Sequence, residues 1–235
     1  MNLMPFLEKL ADLAADYKAD LFLAEGVGQM TREQCIALQK GEVTAALQKA
    51  CTTLNSRIAK GHLALMTALH QVDEKERGLL QTELDNACQN LRHVDANEKR
   101  LLDESLQDIC GVSVKTMLWI YKVGYQSFQE KKFETAIALF LILVLLNAHV
   151  SDYWTALACA ERAVHDELGA LLAFSMASIL DQDNTMSRIQ SADIYLVLHR
   201  KEDASAELDA LEEIIERKHL DDLRPQLALL RAQIG

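Results

Sequence analysis

Three stretches of the chain, GYQSFQEKKFETAIALF (residues 124–140), ACAERAVHDELGALLAF (158–174) and ADIYLVLHRKEDASAEL (192–208), begin 34 residues apart. Placed in register, they align Gly124, Ala158 and Ala192, then Ala136, Ala170 and Ala204, then Phe140, Phe174 and Leu208. A fourth column, just beyond, holds Leu143, Ala177 and Leu211. Small residues recur where two helices would cross, and bulky apolar residues recur where a core would need filling. One fixed period joins all four columns.

A period of 34 is the length of a tetratricopeptide repeat, a helix–turn–helix unit. Such a unit cannot bury its apolar face alone. It stacks on its neighbours, and the stack presents a concave surface. The repeats are expected at about 117–150, 151–184 and 185–218. Ser113 is placed to cap the first helix, and Ser151 and Thr185 the openings of repeats two and three. Trp154, Leu157 and Phe133 stand at consensus positions of the repeat. Lys131 replaces the usual turn glycine, Arg188 stands at the Trp position of repeat three, and no proline closes a repeat. Residues 221–234, with Leu223, Leu227, Leu230 and Ile234 on one face, supply a capping helix.

Outward from the repeats, the chain still reads as helix. Its 235 residues contain 2 prolines and 9 glycines, and half are hydrophobic. Strong helix formers dominate. Residues 3–24 make an amphipathic helix on Leu3, Phe6, Leu7, Leu10, Leu13 and Ala14, closed by Gly26 and Gly28. Thr31 to Gln34 has capping-box spacing. A stripe runs Val43, Leu47, Ala50, Leu54, Ile58, Leu65, Leu69 and Val72, with breaks expected at Gly41 and Gly61. After a turn near Asp73, a second stripe runs Leu80, Leu84, Ala87, Leu91 and Val94, so the two form a helical hairpin. A short helix over 97–109 ends at Gly111. The expected fold is all-α: a tetratricopeptide-repeat solenoid of three helix pairs and a capping helix, preceded by an N-terminal helical hairpin. The division falls into an N-terminal helical region, 1–111, and a repeat domain, 112–235.

The formal net charge is −11. It is spread evenly, with 12 basic and 17 acidic side chains up to residue 110 and 12 and 18 beyond it. Without a basic stripe, the chain is no candidate for nucleic acid, which requires clustered Lys and Arg, or for an anionic membrane surface. The most apolar run, Ala136 to Leu146, is eleven residues long and too short to span a bilayer, so no stable membrane insertion is expected. Five separated cysteines without a Cys-x-x-Cys pair fit a reducing cytoplasm. The N-terminus has no basic n-region and is not expected to be a signal peptide.

The segment from about 103 to 234 resembles the tetratricopeptide-type chaperones of bacterial type III secretion systems, which guard translocator proteins before export. Leu118 to Ala136, LWIYKVGYQSFQEKKFETA, is similar to that family's first-repeat signature. Ala156 to Ala163, ALACAERA, resembles its Gly-Leu-Gly-Ala-Cys-Arg-Gln-Ala, with alanine at both glycines. Gln190 to Leu198 resembles its His-x-Ala-Glu-Cys-Leu-Leu segment. The resemblance implies a cytoplasmic bacterial chaperone whose partner is a secreted translocator, held as an extended apolar segment in the concave groove. Family members have a short N-terminal extension. The hundred or so residues here lie beyond the resemblance and fit a second module, a dimerisation arm giving a homodimer, or a joined partner. A chaperone of needle or early substrates, or a general repeat adaptor or regulator, is the alternative reading of the whole.

Tyr121, Tyr125 and Phe128 share one face of the first repeat helix and match the family's groove aromatics, and Leu118 extends the same line. The corresponding inner positions are Thr155, Cys159 and Arg162 in repeat two, and Ile189, Asp193 and Leu196 in repeat three. That second set is smaller and more polar. No phosphate loop, dinucleotide fingerprint or His-Glu-x-x-His occurs. His62 and His70 are two turns apart, about 12 Å, too far to share a metal. Cys159 lies at a packing column and reads as a buried thiol, not a nucleophile. His165 and Asp166 belong to an inter-helix turn, and Asp221 and Asp222 favour a helix N-terminus. Neither an enzyme, a cofactor nor a metal is expected.

Overall fold

The computed structural model describes residues 32–93 and 104–235. Ten α-helices and no strand occur among them. α1 (Arg32–Leu69) and α2 (Glu74–His93) form the hairpin, and α3 (Leu106–Cys110) follows. Three helix pairs come next: α4 (Val114–Gln129) with α5 (Phe133–Leu146), α6 (Ser151–Ala163) with α7 (Glu167–Leu180), and α8 (Thr185–Val197) with α9 (Lys201–Lys218). A 3-10 turn, Asp221–Leu223, leads into α10 (Arg224–Arg231). The fold is the all-α repeat solenoid that the 34-residue period predicts. The amphipathic segment 3–24, its glycine stop, the Thr31 cap and Val94 lie outside the described residues.

All four columns are buried. Ala158 and Ala192, Ala136, Ala170 and Ala204, and Phe174 and Leu208 have no exposed surface, and neither have Leu143, Ala177 and Leu211. Gly124 is the variant with a physical reason: a Cβ there would lie 2.7 Å from Cε1 of Phe140. The first pair closes more tightly over its phenylalanine than the second, where Ala158 faces the same column. Burying such a ring contributes about 1.5–3 kcal/mol.

The missing turn glycine has a structural counterpart. Lys131, His165 and His199, again 34 apart, hold φ of 60°, 61° and 57°. Each ends its helix with the same bond pattern. The amide of Lys132 donates to Ser127 (2.9 Å), that of Asp166 to Glu161 (3.0 Å) and that of Arg200 to Tyr195 (2.8 Å). This is the Schellman closure, ordinarily a glycine's place. A residue with a Cβ bears about 1–2 kcal/mol there, and all three repeats carry that strain.

Two expected caps move by one residue. Ser113 caps α4, its hydroxyl accepting from the Thr116 amide. Ser151 and Thr185, however, are the first residues inside α6 and α8; the caps are Val150 and Asn184. The Asn184 side-chain Oδ1 accepts from Ser187 N (3.0 Å), a role asparagine fills as well as serine. Ser151 Oγ is turned elsewhere: it donates to the Ala177 carbonyl at 2.9 Å and ties α6 to the end of α7.

α1 runs unbroken through Gly41 and Gly61. Gly61 is a crossing point: its missing Cβ would meet the Ala138 carbonyl oxygen at 2.9 Å and Ile142 Cδ1 at 2.6 Å. The expected breaks are therefore corrected to a continuous helix packed on α5. The turn after Leu69 is held by Arg77, which donates to the carbonyls of Leu69 (2.9 Å) and Val72 (2.8 Å). Leu65, Leu69, Leu80, Leu84 and Ala87 are buried in the same continuous cluster as the first two repeats. Glu83 accepts from the Ser113 amide at 2.9 Å and binds α2 to the cap of α4. The described part of the expected 97–109 helix is shorter, Leu106–Cys110, capped by Ser105 and ended by Gly111 at φ 70°.

At the other end, the single helix expected over 221–234 is a 3-10 turn followed by α10. Leu227 and Leu230 are buried with Ile189, Ala192, Leu208, Leu211 and Ile215, and Leu223 and Ile234 pack against them. Arg231 reaches Asp209 (2.7 Å) and Glu212 (2.6 Å) on α9. Among the described residues no helix is long and apolar enough to cross a membrane.

Candidate peptide-binding face

The first helices of the pairs, α4, α6 and α8, carry the residues singled out from the sequence. On α4 the line divides in two. Leu118 and Tyr125 are 60% and 53% exposed. Tyr121 and Phe128 are half-buried. The ring of Tyr121 stands 5.7 Å from Phe140 and 6.1 Å from Tyr153, and that of Phe128 packs edge-on against Phe133 at 5.4 Å. Burial, with Asp152 nearby, pushes the Tyr121 phenol above its usual range. Two side chains are therefore presented to solvent and two are braced beneath them, an arrangement that offers rigid apolar surface at small entropic cost.

On α6 and α8 the same register is polar and already paired. Thr155 donates to the Ser151 carbonyl (3.1 Å) and accepts from Asn184 Nδ2 (2.9 Å). Arg162 donates to Gln190 and pairs with Asp193, clamping α6 to α8. Asn184 and Gln190 were not among the sequence candidates. The 34-residue columns carry no sign of them, because they act across the repeat boundary. Cys159 is half-buried, and burial raises its thiol more than Arg162 lowers it, the reverse of an activated nucleophile. Ile189 is 6% exposed and packs within the third repeat's core, and Leu196 leans on that cluster. Tyr121, Tyr125 and Phe128 thus share one face of α4, with Leu118 at its edge lining the cleft toward α1; Thr155 bonds Asn184 and Arg162 bonds Gln190 and Asp193, two polar links between α6 and α8, and Ile189 stands apart inside.

His62 is exposed on α1, His70 is exposed in the turn that follows it, and His165 sits exposed at its own turn. Asp166 caps α7 by accepting from Gly169 N at 3.0 Å. Asp221 pairs with Arg224 at 2.7 Å. Among the described residues no group of three or more His, Cys, Asp or Glu could hold a metal ion.

No family model matches the chain, and no curated protein does. Solved structures do. A CopN–Scc3 complex superimposes with a TM-score of 0.53 at 22% identity, over 59% of this chain and 80% of that one. A type III secretion complex from Aeromonas hydrophila gives 0.50 at 22%, over 58% and 87%. The Yersinia enterocolitica type III secretion chaperone SycD, in complex with a peptide of the translocator YopD, gives 0.50 at 20%, over 52% and 95%. At these identities the likeness establishes the fold: this chain shares the helical repeat architecture of type III secretion chaperones over somewhat more than half its length.

Proposed function

We propose that this protein is a non-enzymatic type III secretion chaperone. In the bacterial cytoplasm it holds an extended apolar segment of a translocator along α4, α6 and α8. The observation that carries the reading is the α4 face, where exposed Leu118 and Tyr125 stand over the braced rings of Tyr121 and Phe128. The fold shared with a chaperone solved around a translocator peptide supports it. Covering a client's apolar segment removes a patch that would otherwise aggregate. Each 100 Å² buried contributes roughly 2.5 kcal/mol gross, and ordering the client offsets much of it. Moderate, reversible affinity follows, as release before export requires.

Co-expression with a membrane-active translocator tests this. The client stays soluble with the intact chain and precipitates with Leu118→Asp/Tyr125→Ala, while helicity by circular dichroism is unchanged. An aggregated client in both cases removes the proposal.

A further inference from the structure

The repeat frame leaves one flank of α4 uncovered. On α6, Tyr153, Leu157 and Ala160 are buried, and α6 packs on α5 of the preceding pair. The residues 34 places earlier on α4 are Trp119, Val123 and Gln126; the first two are only half-buried and the third is exposed. α1 stands on that side but packs chiefly on α5, with Gly61 against Ala138 and Ile142. An open cleft of about 960 Å³ therefore runs between α1 and α4. Its walls are antiparallel and tied at both ends: Lys60 lies 4.0 Å from Glu134 at one, and Lys115 2.9 Å from Glu76 at the other.

Apolar side chains line the cleft between these ties. Leu63 is 68% exposed on the α1 wall, and Val72, Trp119 and Val123 are half-buried. The charges around them balance. Lys132 pairs with Glu130 at 2.7 Å, as Lys60 and Lys115 do with their own acids. Asp73 accepts from the Glu76 amide at 3.1 Å, and Lys122 is the remaining cation on the lining. An occupant of this cleft therefore needs apolar side chains and no net charge. Leu118, 60% exposed, belongs both to this lining and to the edge of the α4 face. A chain that crosses α8, α6 and α4 in turn reaches the cleft at Leu118.

We propose that the client itself enters this cleft. Beyond the residues that cover Tyr125 and Leu118, it continues between α1 and α4 as an uncharged, apolar stretch, and α1 of the N-terminal hairpin is the outer wall of the client site. The proposal rests on the reading of the α4 face as client-binding. It gives the hairpin, which lies beyond the likeness to secretion chaperones, a part in holding the client. The α4 wall from Lys115 to Glu130 is about 22 Å long, which takes about seven residues of extended chain at about 3.3 Å each. A second copy fits less well, since a standard dimer contact needs about 800 Å² from each partner and a slot of this length between two helices offers less.

Photo-cross-linking in the full chain, purified with the translocator of the co-expression test, decides the matter. Benzoylphenylalanine is placed at position 63 in one sample and at position 125 in another. Both are expected to become joined to the translocator. A link from 125 alone would leave the client on α4 and outside the cleft, overturning this proposal while the chaperone reading stands; no link from either would remove both. A link from 63 to a second copy, or back to its own chain, gives the cleft to another occupant and also overturns the proposal. Leu63→Asp, at an exposed site remote from Tyr125, should speed release of the translocator about tenfold, the order expected for one lost apolar contact, with helicity by circular dichroism unchanged. Release at the parent rate would overturn it as well.

Discussion

Repeat one and repeats two and three share a core and differ on their inner faces. In all three, the crossing residue is small and the column beneath it is sealed. Above that common core, repeat one presents Leu118 and Tyr125 to solvent, while the other two tie Arg162, Gln190 and Asp193 to one another. The period governs what must stack, and it leaves free what faces outward. The first helices of the repeats therefore differ outward, apolar on α4 and polar where α6 meets α8.

The shared core is the first thing to break. Phe140→Ala and Phe174→Ala should each cost about 3–5 kcal/mol in denaturant unfolding. Phe174→Leu, which copies Leu208 of repeat three, should cost clearly less than Phe174→Ala, because less volume is removed. Equal losses for the two Phe174 variants would mean that the columns are not interchangeable.

Next comes the tightness of the first pair. Gly124→Ala imports the residue of repeats two and three, yet its Cβ enters the ring of Phe140. A loss of about 1–3 kcal/mol is expected, visible as a lower midpoint. Gly124→Ala/Phe140→Leu, which gives repeat one the pair found in repeat three, should recover part of it. A neutral Gly124→Ala would show that the first pair closes no more tightly than the others.

Legibility followed the same division. The columns at 124, 136, 140 and 143 were readable because burial forces the same residue size at every period. The aromatic line was readable as a face, but not its split, which depends on where Phe140, Tyr153 and Phe133 put their rings. Ser151 and Thr185 suited a cap as well as their neighbours did, and the Ala177 carbonyl that claims Ser151 is 26 residues away. Gly61 had two meanings, a break or a close approach, and only Ala138 on another helix decides between them. The polar links join α6 to α8, so no pattern within one repeat could contain them.

The turns offer a smaller effect of the opposite sign. Lys131→Gly, His165→Gly and His199→Gly each relieve a left-handed residue. Glycine's freer unfolded chain takes back part of that gain. A net stabilisation of up to about 1 kcal/mol per site is expected, similar in all three repeats. Loss of stability at one site would mark that side chain as making a compensating contact.

The smallest effect separates the hairpin's two attachments by pH. Burial pushes the Glu83 carboxyl up, but hydrogen bonds from Thr116 and Ser113, with Lys115 near, outweigh it and hold the group below its ordinary 4.5. Its contribution is present above that value and is lost as pH falls through the lower folded one. Glu161, 3.3 Å from Arg57 of α1, goes the other way. Burial outweighs Arg57, and Asp166 adds to the rise, so its proton is held more tightly in the folded chain. Folding gains from that proton fully below 4.5 and loses the gain as pH rises through the raised value. The thermal midpoint followed from about pH 6 to about pH 3 should therefore fall less steeply in Glu83→Gln and more steeply in Glu161→Gln than in the parent chain. Parallel curves for the two variants would mean that α2 on α4 and α1 on α6 are held without these carboxylates.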